Sequence, residues 1–275
     1  MPLSCNPSGS RKGLSLPMQF GLPALLVSLA CGQCPQPSYQ TANFVVQADT
    51  IEVAKVVADA AERCRRDLAK AWLERDLPAW PSPCQIHVTV DLNGTAGRTD
   101  VSFCGGKVIS QAIDVRGPLK RVLQGALPHE LTHVLFAHYF SAQPPRWADE
   151  GGAILSEDGV QGERQRKLFR KIQSEDRCFS LRRLLGMHAY PEDVSCLYAQ
   201  GHSLSRFLVA AKSRKAFLTF VSDGQDRGWD QAVRDQYGYD DIEHLEQAWL
   251  GWVAKQGESR TASFIADECA HAMIQ

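Results

Sequence analysis

Leu127-Pro-His-Glu-Leu-Thr-His133 is the stretch from which the chain is best read. Residues four apart lie on one face of an α-helix, so the imidazoles of His129 and His133 can approach one point. Neutral imidazole nitrogen is a good zinc donor, and zinc favours a tetrahedral set. Glu130 sits one step round the helix, where it can reach a water at that point without joining the donors. Two ordinary histidines on a core or surface helix would give the same five-residue pattern, so a third donor has to be found.

Downstream lies Arg146-Trp-Ala-Asp-Glu-Gly-Gly152, with sixteen residues between His133 and Glu150. Asp149 and Glu150 are both acidic, and on a helix they would point about 100° apart. The two segments in this order resemble the gluzincin branch of HExxH zinc metallopeptidases. They look most like the "peptidase MA-like" group, where LPHELTH is followed by W-x-x-E-G. The resemblance covers the pattern of elements over roughly residues 40–255. Its specific motifs lie at 127–152 and, more weakly, at 198–208. It implies a zincin-like fold and one zinc ion held by His129, His133 and Glu150, because the family glutamate directly precedes the glycine. It also implies Glu130 as general base. Asp149 and Glu157 then become candidates to orient the imidazole rings, with plain solvation as the alternative for each.

Similar families carry a YxxG segment at the start of a later helix, matched here by Tyr198-Ala-Gln-Gly201. Gluzincins use a tyrosine or histidine to stabilise the oxyanion, which makes Tyr198 the first candidate and His202 the second. A tyrosine at a helix start can also simply pack and cap. His138, five residues past His133, faces elsewhere on the helix and reads as a packing residue.

Before the motif, Asp49-Thr-Ile-Glu52 reads as a capping box. Val53, Val57, Ala60, Cys64, Leu68 and Ala71 form one apolar face of a long helix ending near Leu77, where prolines 78, 81 and 83 stop it. Alternation at Ile86, Val88 and Val90, and again at Val101 and Phe103, predicts strands. Asn93-Gly94 and Gly105-Gly106 mark turns, and Lys107–Val115 reads as the next strand, broken at Gly117-Pro118. A helix is expected over Leu119–Phe140 with Pro128 as a candidate break, and another from Asp149 or Glu150 into residues 164–171. Further helices fit Gly201–Ala211 and Ile242–Val253. In the last, Ile242, Leu245, Trp249 and Trp252 form a core stripe.

The fold expected is therefore α+β: a small, mostly antiparallel sheet with a long N-terminal helix, then a mainly helical zincin-like catalytic region. Its domain spans 41–255, divided into 41–117 and 118–255, with a tail over 256–275. Ahead of it, Arg11-Lys12, the apolar run Leu14–Ala30 and small residues Ser28 and Ala30 describe a signal peptide over 1–30. A Pro-rich linker follows at 31–40. The apolar run is too short and Pro-interrupted for a membrane span, so the mature chain is expected to be exported without one. A lipid-anchored Cys31 and an N-terminus with a mere apolar patch are the alternatives. Nine cysteines, eight of them from Cys31 onward, suit disulfides in an exported chain, with Cys84–Cys104 and Cys178–Cys196 as the expected pairs.

Thirty lysines and arginines against 31 acidic residues give no electrostatic case for nucleic acid. The function expected is zinc-dependent hydrolysis of peptide bonds in a peptide or protein substrate. An exported binding protein that keeps a zinc site is the alternative.

Overall fold

The structure is a computed structural model that describes residues 36–256. The expected signal peptide, Cys31 and Cys34, and nearly all of the expected C-terminal tail lie outside the described residues. The fold is α+β, as expected, with one five-stranded sheet in the order β1-β2-β3-β5-β4. The strands are β1 (Ser38–Gln40), β2 (Phe44–Gln47), β3 (Cys84–Val90), β4 (Ala96–Cys104) and β5 (Lys107–Gly117). Residues 38–40, read as linker, thus form the first strand, and Phe44–Gln47 adds a second that the sequence reading missed.

The sheet is mixed rather than mostly antiparallel. β1–β2 and β4–β5 pair antiparallel, while β2–β3 and β3–β5 pair parallel. The cause is α1 (Ile51–Leu68), which carries the chain from β2 back over the sheet so that β3 runs alongside it, as a crossover helix must. β5 then slots between β3 and β4. The β4–β5 turn is Gly105-Gly106, both at positive φ (55° and 70°), the mirror-image turn whose twist suits a hairpin.

α1 is capped by Thr50, not Asp49: its hydroxyl accepts from the Val53 amide at 3.3 Å. A π turn, Ala69–Leu73, extends the helix, and Glu74 ends it at φ 57°, three residues before the expected stop. The buried face includes Ala54, Val57, Ala58, Ala61 and Leu68, one step round from the face read in the sequence, and Ala71 is exposed.

After β5 come α2 (Leu119–Arg121), a π turn (Val122–Ala126) and α3 (Leu127–Phe140). Pro128 does not break α3, because it sits in the first turn, where a missing N–H costs nothing. α4 (Arg146–Ile154) and α5 (Gly159–Ser174) are separate helices where one was expected, split by residues 155–158. α6 (Leu181–Leu185), α7 (Val194–Ala211), α8 (Arg214–Arg227), α9 (Trp229–Tyr237) and α10 (242–256) complete the helical layer. Ile242, Leu245 and Trp249 of α10 are buried, as the stripe predicts. No helix among the described residues is long and apolar enough to cross a membrane.

Neither expected disulfide forms, because Cys84, Cys178 and Cys196 carry free thiols. Cys84 aligns with Gln111 of β5, whereas Cys104 pairs with Lys107 on the far side of that strand. Two strand spacings, about 10 Å, plus four residues of offset put that pair beyond bridging reach. The Cys196 thiol donates instead to Gln200 Oε1 at 2.9 Å, and Gln200 braces the backbone of Phe179.

Candidate metal centre

α4 is the keystone of the site. It lies between α3 and α7, and its two glycines make the approach possible. A Cβ on Gly151 would lie 2.3 Å from Ser205 Oγ and 2.5 Å from the Gly201 carbonyl of α7. One on Gly152 would lie 2.4 Å from the Phe136 ring of α3. Gly201 reciprocates, since its Cβ would meet the Trp147 carbonyl at 2.7 Å. The glycines after Glu150 and after Tyr198 are therefore needed for close helix packing. Trp147, fully buried against Phe217, Phe220 and Trp229, anchors the other side of α4. Burying such a ring contributes on the order of 2–3 kcal/mol.

Held this way, α4 directs Glu150 at α3. One donor atom each from His129, His133 and Glu150 lies within 4.8 Å of the others, a cluster that could hold a metal ion. The Nε2 atoms of His129 and His133 stand 3.5 Å and 3.8 Å from Glu150 Oε2. Oε2 itself is buried with no hydrogen-bond partner.

Both rings are aimed from behind. His129 Nδ1 lies 2.7 Å from Glu157 Oε1, and His133 Nδ1 lies 2.7 Å from Asp149 Oδ1. With the Nδ1 protons committed to these acids, each ring, once neutral, turns its Nε2 lone pair toward Glu150. Asp149 is thus an orienting residue and not a ligand, and its second oxygen accepts from Gln143 at 2.8 Å. The Glu157 loop is pinned by the turn before α3. Pro128 has no N–H to offer the Gln124 carbonyl, which accepts the Asp158 amide at 3.1 Å instead. Arg121 adds an ion pair to Asp158 at 2.6 Å.

Glu130 is buried on the strand side of α3. Its Oε2 accepts from Thr99 Oγ1 of β4 at 2.6 Å. A Cβ on Gly97 would lie 2.2 Å from its Oε1, so only glycine lets the strand come this near. Among the described residues β4 is the outermost strand, with one backbone edge unpaired beside the cluster. β5 is interior, between β3 and β4. A cleft of about 330 Å³ runs between β4 and α3 and is lined by Arg98–Val101, the cluster, Arg146, Tyr190 and Tyr198.

Tyr190, from the loop before α7, was not foreseen. Its hydroxyl donates to Glu150 Oε1 at 2.5 Å, and the Arg146 guanidinium stacks 4.6 Å above its ring. Tyr198 reaches the cluster as expected, with its hydroxyl interacting with Glu150 and Tyr190. Burial, then Glu150, raise both phenol pKa values, so each stays a hydrogen-bond donor. His202 does not reach the cleft. It is 2% exposed and faces Gly162 of α5, and burial first, then Arg166 and Arg206, lower its pKa to about 4. His138 packs as expected, stacked on Trp80 with Nε2 2.7 Å from Gln111 Oε1.

The charges suit a cation-binding pocket. Burial disfavours the Glu150 carboxylate, but His129 and His133 beside it outweigh that and hold its pKa down to about 2. Burial also opposes protonation of His129, yet Glu150, Glu157 and Glu130 raise its pKa to about 10. No protein-family model matches the chain, and no curated protein is significantly similar to it.

Proposed function

We propose that the protein is a zinc-dependent peptidase of the gluzincin type, using one ion held by His129, His133 and Glu150. The observation that carries this reading is convergence. Two imidazoles oriented by Asp149 and Glu157 face a buried, unpartnered carboxylate oxygen, with a fourth acid, Glu130 of the same helix, held beside them by Thr99 of the edge strand. Two nitrogens and one oxygen suit zinc and leave a position open, as in catalytic rather than structural sites. When bound, zinc supplies Lewis-acid activation of water and of the substrate carbonyl.

The remaining steps belong to the chain. Thr99 and Gly97 hold the Glu130 carboxylate on the cleft side of α3. From there Glu130 accepts a proton from the attacking water and returns it to the leaving amine. Tyr198 donates to the carbonyl oxygen as negative charge develops on it. Tyr190 keeps its hydrogen bond to Glu150 and fixes which oxygen of that carboxylate turns to the histidines. The substrate is a peptide or protein whose backbone lies along the free edge of β4, an arrangement that fixes register without demanding sequence. Export of the chain belongs to the same proposal and rests on the apolar run Leu14–Ala30.

Glu130→Gln tests the reading. The variant is expected to bind zinc as the parent does and to lose peptide hydrolysis by about 10²–10⁴-fold. Cleavage at the parental rate would exclude Glu130 as base. Zinc bound by the parent without turnover of any peptide would favour a binding protein.

A further inference from the structure

The space beside the cluster does not end at His129. A second lobe, about 540 Å³, opens on its other side, lined by Thr95, Ala96, Arg121, Gln161 and Arg164. The two lobes share Gly97, His129, Glu130 and Tyr198. One follows β4 forward from Gly97 to Val101 and α3 toward Ala137. The other follows β4 back to Thr95 and the helix back to Gly125. Glu130 therefore stands midway along a trough walled by a strand edge and a helix. Thr95 to Val101 spans about 20 Å, room for about six extended residues.

An enzyme that trims chain ends needs a charge reserved for the terminal amine or carboxylate near the reacting bond. The acids lining this trough are all committed. Asp100 pairs with Arg98, Asp149 with His133 and Gln143, Glu157 with His129, Glu130 with Thr99, and Glu150 with Tyr190. Of the cations, Arg98, Arg121 and Arg146 have acidic partners, and Arg164 is exposed on α5. Among the described residues, neither lobe holds a buried charge set aside for a chain end.

We propose that the protein cuts internal bonds of polypeptides, with extended chain occupying both lobes. This inference rests on the peptidase reading above. An endopeptidase gains transition-state binding from residues on both sides of the bond, whereas an end-trimming enzyme gains from one side only.

The test uses the zinc-loaded full chain and fluorogenic peptides acetylated and amidated at their ends, lengthened separately on each side of the cut. Blocked peptides are expected to be cut internally, with kcat/KM rising about tenfold or more on lengthening either side. Gln161→Trp, which fills the second lobe from α5, is expected to abolish the gain on one side and keep it on the other, with zinc binding unchanged as the check on folding. Release of single residues from free-ended peptides, with blocked peptides intact, would overturn internal cleavage and leave the peptidase reading standing. An undiminished gain on both sides in Gln161→Trp would overturn occupation of the second lobe. If neither kind of peptide is cut with zinc bound, the peptidase reading itself falls.

Discussion

Gly97 of β4 and Glu130 of α3 are so closely apposed that a Cβ on the glycine would lie 2.2 Å from Oε1 of the carboxylate. The edge strand therefore sets where the Glu130 carboxylate stands, and on the peptidase reading proposed above the strand that receives substrate also sets the base. Gly97→Ala must push the carboxylate off its bond to Thr99 or push the strand outward. Misplacing a catalytic group by about 1 Å costs on the order of 10²-fold. The expected result is such a loss in kcat with zinc stoichiometry unchanged, read by steady-state kinetics and metal analysis on the same sample.

Tyr190 and Tyr198 both reach Glu150, and the two are separable by what they lose. Tyr190→Phe removes the 2.5 Å bond that orients the ligand carboxylate, so zinc affinity is expected to fall about 10- to 100-fold. Tyr198→Phe removes a donor to the developing oxyanion, so kcat is expected to fall about 10²–10³-fold at full zinc occupancy. A competition titration with a chelator, beside rate measurements at saturating zinc, distinguishes the two. The same defect in both variants would contradict the division of roles.

Zinc uptake is expected to release protons. Without an ion, His129 is held protonated up to about pH 10 and His133 is shifted upward too, by Glu150 and Glu157 and by Asp149 respectively, against the effect of burial. Zinc needs both rings neutral. Proton release on zinc binding should appear near pH 7.5, measured with an indicator dye in weak buffer, and none would contradict it. The sign carries to stability. In the ion-free fold the protonated His129 ring stabilises below pH about 6.5, and its contribution is lost as pH rises through about 10.

His202 works in the opposite sense. Burial, with Arg166 and Arg206 near, lowers its pKa to about 4 from an ordinary 6.5. The unfolded chain thus binds a proton that the fold refuses, so stability is full above pH 6.5 and is lost as pH falls from there toward 4. Between pH 7.5 and 5 that loss is about 2 kcal/mol. Urea melts of the zinc-loaded protein at the two pH values should show it, and His202→Gln should flatten the difference. An equal slope in parent and variant would assign the acid sensitivity elsewhere.

The donors at the centre were legible because helical spacing is local. His129 and His133 need only 3.6 residues per turn, whereas Glu150 was set apart from Asp149 by the resemblance to gluzincins alone, and the packing role of the glycines beside it is visible only in the fold. Asp149 and Glu157 were visible as candidates, but which atoms they touch depends on the turn after α4, which the continuous helix read there had erased. Thr99 and Gly97 carry no spacing that ties them to Glu130. A glycine inside an alternating strand was their one available signal, since it marks close backbone approach. Tyr190 sits on a loop and had none. In the fold, β1 and β2 are three and four residues long, too short for periodicity to register. The parallel pairings were missed because neighbouring strands in sequence were taken as neighbours in the sheet, while β5 inserts between β3 and β4.

Two imidazoles and one carboxylate sharing an ion, with a corner left for solvent, would leave a direct signature in the zinc K-edge absorption of the one-to-one complex. The spectrum is expected to show a shell of about four nitrogen and oxygen neighbours near 2.0–2.1 Å, which loses imidazole scattering and zinc occupancy together in His133→Ala. A sulfur neighbour near 2.3 Å, or an unchanged shell and full occupancy in that variant, would contradict it.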